Sequence, residues 1–271
     1  MTFQLNGARC LVTGASRGLG RHIARSLAER GATLHLVARS QPDLERVAAE
    51  LRGASVHIHA IDVTDRAAVE ALASTLPPID VLVNNAGIEI ISYFHELPVS
   101  ELLRILDVNL TSALVLTRLL LPGMVERRRG HIVNIASLAG KTGPPLAETY
   151  AATKAGLVAF TQSLRASYAG TGVSASAVCP GFIHGEGMYA DRAVRSGGKP
   201  PALVGSSPPE EVGEAVVRAI LHDEPERFVT PTPARLLAAI NALQPRLIGW
   251  LAGRLHLREM YEKQAEPHRK S

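Results

Sequence analysis

A glycine-rich stretch near the start of the chain constrains its fold more than any other feature. It reads Thr13-Gly14-Ala15-Ser16-Arg17-Gly18-Leu19-Gly20 and lies between an apolar, β-branched run and a helical pattern. Glycines allow a tight turn and a close approach of the backbone, so the first N–H groups of the helix can face an anion. Glycines also serve ordinary turns, which is the alternative. The strand-turn-helix context favours a pyrophosphate-binding turn.

Short apolar runs alternate with longer helical patterns along most of the chain. Strands are predicted at residues 8–12, 33–38, 55–61, 80–84, 131–136, 173–178 and 227–230. Helices are predicted at residues 18–30, 43–52, 65–75, 100–125, 148–169 and 208–222. This alternation predicts an α/β fold of three layers, doubly wound and Rossmann-type, with a mostly parallel seven-stranded sheet.

Composition and charge exclude several classes of protein. Of 271 residues, 46% are apolar and 20% are charged, which suits a globular chain with a large core. The 29 basic and 25 acidic residues are scattered rather than gathered into a polybasic face, so no nucleic-acid partner is expected. The one basic cluster, Arg127 to Arg129, follows a long apolar stretch. We interpret it as a solvated helix end rather than a phosphate-binding patch.

Cysteine usage and the apolar segments predict a cytoplasmic protein. Two cysteines, Cys10 and Cys179, are too few for a disulfide framework and fit a reducing compartment. Residues 1–8 lack the basic and apolar succession of a signal peptide. The longest apolar region, residues 110–125, is interrupted by polar residues and a proline, and it is expected to fall short of a membrane span.

The residue after the second predicted strand indicates which dinucleotide is bound. NAD-binding folds commonly place an acid there for the ribose 2′-hydroxyl, whereas this chain has Arg39. A guanidinium forms paired hydrogen bonds with a phosphate and offers a hydroxyl no acceptor. Arg17 adds a second cation within the glycine turn. Each arginine alone could be a surface charge, but together they favour NADP(H).

Three residues supply the groups that interconversion of a carbonyl and an alcohol requires. The reaction moves a hydride to carbon and a proton to oxygen, and an ordinary tyrosine is a poor base near neutrality. Lys154 lies four residues after Tyr150, on the same helix face, and its ammonium would stabilise tyrosinate. Ser137 ends a predicted strand and can donate a hydrogen bond to the developing oxyanion. A Tyr/Lys pair can also be simple helix packing, but behind a nucleotide turn catalysis is favoured.

These motifs, in this order, resemble the short-chain dehydrogenase/reductase family in its common single-domain form. The matching features are the TGxxxGxG turn, the Asn-Asn-Ala-Gly of Asn84 to Gly87 and the Tyr-x-x-x-Lys pair. The resemblance runs from about Ala8 to Pro233. It implies that Asn109 belongs to a proton relay with Ser137, Tyr150 and Lys154, and that Asp62 binds the adenine.

The resemblance and the two arginines together define the predicted cofactor contacts. Asn109 could instead tie down a helix, and Asn84 and Gly87 could serve the turn after the fourth strand. The predicted contacts are Gly14, Ser16, Arg17, Gly18, Leu19, Gly20, Arg39, Asp62, Val63, Asn85, Ala86, Gly87, Tyr150, Lys154, Pro180, Gly181 and Ile183.

One position departs from the family pattern. Gly185 stands where relatives usually carry a threonine that holds the nicotinamide carboxamide, so the backbone near Ile183 would have to make that contact. Residues 184–207 are rich in glycine and proline and are expected to form a flap over the substrate.

A metal site is not expected. His57 and His59 alternate on one face of the third predicted strand and could share an ion, but the sequence shows no third ligand nearby. Strand histidines are the favoured interpretation.

Residues 1–233 are expected to form the dinucleotide-binding and catalytic domain, and residues 234–271 a helical C-terminal extension divided at Pro245. In the extension, Trp250 and leucines are interleaved with basic residues. It could lie on a membrane surface, cover the substrate mouth or pack on another subunit.

The sequence therefore predicts an NADP(H)-dependent oxidoreductase that interconverts an alcohol and a ketone or aldehyde. The few polar residues around the expected pocket favour an apolar substrate, and the resemblance implies a homodimer or homotetramer. The alternative is a catalytically idle NADP-binding sensor or scaffold, because a fold does not guarantee chemistry.

Overall fold

The computed structural model describes residues 3–189, 205–231, 233–244, 246 and 257–265. The middle of the predicted flap lies outside the described residues. So do Pro245, Trp250 and most of the second helical piece of the extension.

Seven strands form one sheet, in the order β3-β2-β1-β4-β5-β6-β7, and every neighbouring pair is parallel. This sheet confirms the predicted fold class. The strands are β1 Arg9–Thr13, β2 Thr33–Ala38, β3 Val56–Ala60, β4 Val81–Asn84, β5 Gly130–Ile135, β6 Val173–Pro180 and β7 Glu226–Val229.

Ten helices are described around the sheet. They are α1 Gly18–Ala28, α2 Gln41–Glu50, α3 Arg66–Thr75, α4 Val99–Leu106, α5 Ser112–Glu126, α6 Ala139–Thr142, α7 Glu148–Ser167, α8 Glu210–Leu221, α9 Ala234–Leu243 and α10 Leu257–Ala265. A π-helical turn, Asp107–Thr111, joins α4 to α5. The sequence did not predict this turn or the four-residue α6, because neither is long enough to show its own periodicity.

Alternate strand residues pack against helices on opposite faces of the sheet. Val12 and Leu36 belong to a core with α1 and α8, whereas Leu11 and Leu82 belong to a core with α3 and α5. Burial on both faces explains why these strands appear as continuous apolar runs rather than alternating ones. The candidate site is therefore built on a sheet whose strands are buried on both faces.

The helix from Val99 to Glu126 extends the predicted helix, residues 100–125, by one residue at each end. It continues through the π turn for 28 residues and, by length and composition alone, is long and apolar enough to cross a membrane. The prediction that this region falls short of a span was therefore wrong on length. A core helix meets the same criterion, and this one buries Leu116, Leu121 and Met124 against the sheet.

The basic cluster after α5 is engaged in local contacts. Arg127 donates to the Ile79 carbonyl oxygen at 2.9 Å, and Arg128 donates to the Gly170 carbonyl oxygen at 3.0 Å. Arg129 donates to the Asp80 carboxylate at 3.0 Å. These bonds fasten the end of α5 to its neighbours, as the helix-end interpretation expects.

Candidate active site

The strand order reverses at β1, which pairs with β2 on one side and with β4 on the other. Chains leaving the carboxyl ends of β1 and β4 therefore diverge, and a crevice opens between them. A cleft of about 670 Å³ occupies this place. Every residue predicted as catalytic or cofactor-binding lines the cleft, with the exception of Asn109.

The glycine turn presents bare backbone to the cleft. Gly14 and Gly18 adopt positive φ angles of 65° and 55°, which other residues rarely tolerate. A Cβ at Gly20 would collide with the carbonyl oxygen of Gly14 and would lie 2.7 Å from the Asn85 Nδ2. The absence of side chains here leaves a cradle at the start of α1, which suits a pyrophosphate.

The loop after β4 is fastened to this turn. The Thr13 hydroxyl accepts from the backbone N–H groups of Asn85 and Ala86, both at 3.0 Å. The Asn85 side chain donates to the carbonyl oxygens of Thr13 and Gly14 at 2.9 and 3.1 Å. Asn84 turns away into the core and donates to the Asn134 Oδ1 at 2.8 Å. The Asn84 and Asn85 side chains thus fix the position of the loop that forms this wall of the cleft.

Two exposed cations border the same end of the cleft. Arg39 follows β2, and Arg17 precedes α1. Asp62 lies beyond β3, where one carboxylate oxygen accepts from the N–H and hydroxyl of Thr64 at 2.9 and 2.8 Å. The glycine cradle and the cations fit the phosphates of a dinucleotide.

Tyr150 and Lys154 lie one turn apart on α7, and both are buried at the cleft. The Lys154 Nζ donates to the Ile135 carbonyl oxygen at 2.7 Å and lies 5.6 Å from the centre of the Tyr150 ring. Burial lowers the pKa of Lys154 from 10.5 to about 8, while the Glu89 carboxylate acts in the opposite direction. The site therefore holds a buried amine that binds its proton less tightly than an exposed lysine does.

Ser137 follows β5 and is half-buried at the cleft. Its Oγ accepts from the Ala139 N–H at 3.1 Å, which fixes the hydroxyl at the start of α6. A Cβ at Gly140 would lie 2.6 Å from the Lys154 carbonyl carbon and from the Ala155 nitrogen. Gly140 thus lets α6 pack directly on α7, which brings the serine to the Tyr/Lys pair.

Asn109 is 1% exposed and lies in the π turn, behind the cleft wall. Its Oδ1 accepts from the Ile88 N–H at 2.7 Å, and its Nδ2 donates to the Ile88 carbonyl oxygen at 2.8 Å. The side chain therefore ties the loop after β4 to the helix, as the structural alternative expects. A Cβ at Gly87 would lie 3.6 Å from both the Asn109 Oδ1 and the Lys154 Nζ. The relay role of Asn109 stays a prediction.

Residues 8–193 match the short chain dehydrogenase family. The chain belongs to this family. Since the match spans the glycine turn, the strand-end serine and the Tyr/Lys pair, the protein is an oxidoreductase of the CH–OH and carbonyl class.

The relatives of this short-chain dehydrogenase include ketoreductases. The chain is 41% identical to the ketoacyl reductase HetN of Nostoc sp., and the alignment covers 97% of this chain and 94% of HetN. An actinorhodin polyketide ketoreductase variant with NADPH superposes with a TM-score of 0.77, at 32% identity over 84% of this chain and 97% of that one. A 3-oxoacyl-(acyl-carrier protein) reductase with bound NAD from Brucella melitensis superposes with a TM-score of 0.73, at 34% identity over 83% and 90%.

Gly185 of this short-chain dehydrogenase has a φ of 82°, which explains the departure from the usual threonine. A β-branched residue would be strained in that conformation. The preceding segment is held by a short parallel bridge, because the His184 N–H donates to the Ser207 carbonyl oxygen at 3.1 Å. Ile183 and Gly185 both line the cleft.

The described part of the extension reaches the cleft. The sequence had left the position of the extension undecided. Tyr261, on α10, is 7% exposed and lines the cleft together with Tyr150. This position agrees with coverage of the substrate mouth, while contact with a membrane or with another subunit stays an open alternative for α10. Its amphipathic spacing showed an apolar face but could not show what that face covers.

A third histidine lies beside the two that the sequence indicated. His35 on β2 is in register with His57 on β3, and its Nδ1 lies 3.2 Å from the His59 Nε2. The rings of His35 and His57 are stacked with centroids 4.8 Å apart. Stacked rings do not converge on one ion, and no group of three ligating side chains in the described ranges is placed to hold a metal.

Proposed function

We propose that this short-chain dehydrogenase is an NADPH-dependent carbonyl reductase that converts a ketone or aldehyde on an apolar substrate to the alcohol. The observation that carries the proposal is the meeting of Ser137, Tyr150 and Lys154 with the glycine turn on one cleft. The names of the relatives, which are ketoacyl reductases, support the same reaction.

The preference for NADP(H) rests on charge. Arg39 and Arg17 are exposed at the edge of the cleft, where a 2′-phosphate would find paired donors. Solved relatives include one with NADPH and one with NAD, so the arginines of this chain are the stronger argument.

An apolar substrate is proposed from the walls of the catalytic end of the cleft. Carbon-rich side chains line the cleft together with Tyr150, and pockets with few polar groups select apolar ligands. These walls are Ile88, Leu138, Phe182, Met188 and Tyr261.

The bound nicotinamide would supply the hydride to the carbonyl carbon. The Ser137 hydroxyl donates a hydrogen bond to the carbonyl oxygen and orients it. The Tyr150 phenol then gives its proton to that oxygen, which completes the alcohol. The Lys154 ammonium stabilises the resulting phenolate, and a water held by the Asn109 backbone would pass a proton from solvent to the lysine.

Tyr150→Phe tests the proposal. NADPH consumption by the wild type is measured with ethyl acetoacetate, longer 3-oxo esters, alkyl ketones and aldehydes. We expect Tyr150→Phe to reduce kcat by more than about 100-fold, because the proton donor is lost, while the Kd for NADPH from fluorescence titration stays unchanged.

Tyr168→Phe is the matched control, because Tyr168 follows the far end of the same helix and packs, partly buried, against the core. It should keep its activity. Tight NADPH binding by the wild type without turnover of any substrate would overturn the enzyme proposal and favour the sensor.

Self-association stays a prediction. Val99 and Leu103 on α4 are 71% and 52% exposed, which is unusual for residues of this type and fits a homodimer or homotetramer contact. The alternative is that the protein uses an apolar surface, on the extension, to contact a membrane.

A further inference from the structure

Tyr150 belongs to an apolar cluster that is separate from the two large cores of the sheet. Its buried members come from three parts of the chain: the loop after β4, the start of α7 and the C-terminal helix α10. They are Ile91, Leu146, Ala147, Tyr150, Tyr261 and Ala265. The catalytic phenol therefore shares its packing with residues that lie more than a hundred positions away.

Tyr261 is the member of α10 that reaches the cavity. It is as buried as Tyr150, at 7% exposure, and both rings line the same cleft. Ala265 lies one turn further along α10 and is buried in the same cluster. The two side chains form the inward face of the helix, and Tyr261 is the larger.

Polar contacts on the outer side fix α10 in this position. The Tyr93 hydroxyl, from the loop after β4, donates to the Glu262 carboxylate at 2.5 Å. Arg258 donates to the same carboxylate at 2.9 Å, and its Nη2 lies 3.4 Å from the Tyr93 hydroxyl. These bonds hold the helix that carries Tyr261 against the loop after β4, so we expect the ring to resist displacement by a ligand.

We propose that Tyr261 is a specificity-determining residue, which closes the substrate chamber beside Tyr150 and limits the length of the apolar chain on the carbonyl carbon. We expect a short-chain 3-oxo compound to fit in front of this wall. A longer chain would need the volume that the tyrosine ring occupies. The proposal rests on the reductase function proposed above.

Tyr261→Ala tests whether Tyr261 limits the chain length of the substrate. The substrates are ethyl acetoacetate, ethyl 3-oxohexanoate, ethyl 3-oxooctanoate and ethyl 3-oxodecanoate. Added methylenes in an apolar pocket commonly change kcat/KM by about tenfold or more. We expect the ratio of kcat/KM for the longest ester to that for the shortest to rise at least about tenfold in the variant. Tyr261→Phe should keep the wild-type ratio, because it retains the ring.

Lys263→Ala is the matched control, since Lys263 is exposed on the same helix. Tyr261→Leu takes the place of the alanine variant if circular dichroism shows that the latter is unfolded. An unchanged chain-length ratio in a folded Tyr261→Ala or Tyr261→Leu protein overturns the proposal.

A second measurement separates this proposal from the reductase function. Calorimetric titration of ethyl 3-hydroxydecanoate needs no turnover, and we expect its Kd to fall about tenfold in Tyr261→Ala. A tighter Kd in a protein that reduces no ketone would overturn the reductase function alone. An unchanged Kd with normal turnover of the short ester would overturn the role of Tyr261 alone.

Discussion

The Lys154 Nζ lies 2.7 Å from the carbonyl oxygen of Ile135, the last residue of β5. This bond anchors a buried ammonium to the central sheet and sets its position relative to Tyr150. A neutral carbonyl dipole stabilises the charge less than water would, which explains why burial dominates and lowers the pKa of the lysine to about 8.

The shifted lysine predicts a pH dependence of stability. The unfolded chain holds the Lys154 proton up to about pH 10.5 and the folded protein up to about pH 8. Between these values the unfolded state binds more protons, so the free energy of unfolding rises with pH. We expect this contribution to reach about 3 kcal/mol and to vanish in Lys154→Met.

Urea denaturation of the wild type and of Lys154→Met at a series of pH values measures this contribution as the difference between their free energies of unfolding. Lys263→Met, at an exposed lysine, should show the wild-type slope. Equal slopes in the wild type and Lys154→Met would show that the buried lysine keeps an ordinary pKa.

Gly20→Ala should damage the phosphate-binding turn. Its new Cβ would collide with the Gly14 carbonyl oxygen, so the turn or the helix must shift. We expect a loss of about 2 kcal/mol in unfolding free energy and a clear weakening of NADPH binding. Gly53→Ala is the control for NADPH binding, because Gly53 does not line the cleft and an added Cβ there meets no atom within 4 Å. If both variants bind NADPH equally well, the turn does not hold the cofactor.

Arg39→Ala should shift the cofactor preference. Loss of charge-assisted bonds to a 2′-phosphate costs about 1.5–3 kcal/mol, so the KM for NADPH should rise roughly 10- to 100-fold while that for NADH changes little. Steady-state kinetics with both cofactors measures this. Arg52→Ala, at an exposed arginine after α2, should leave both constants unchanged. If the KM values for NADPH and NADH change by the same factor, Arg39 has a role other than phosphate recognition.

Much of the fold could be predicted because its determinants are local. Strand and helix periods and the tight turn at Gly14 and Gly18 depend on neighbours a few residues away. The order of motifs then placed Ser137, Tyr150 and Lys154 at one edge of a parallel sheet. Their convergence on one cleft follows from the rule that parallel strands present their carboxyl ends together.

Other contacts could not be predicted because they join distant segments. The pairing of His35 with His59 depends on the β2–β3 register, which neither strand encodes by itself. The π turn that positions Asn109 is too short to alter the helical period around it.

The sequence by itself determined the α/β class, the cofactor turn and the identity of the candidate catalytic groups, since short-range backbone preferences and motif chemistry specify them. Only the tertiary structure decided that the Asn109 side chain serves the Ile88 loop and that Tyr261 borders the chamber of Tyr150. An apolar helix face reveals that it must be buried, but the surface that buries it is selected by the packing of the whole molecule.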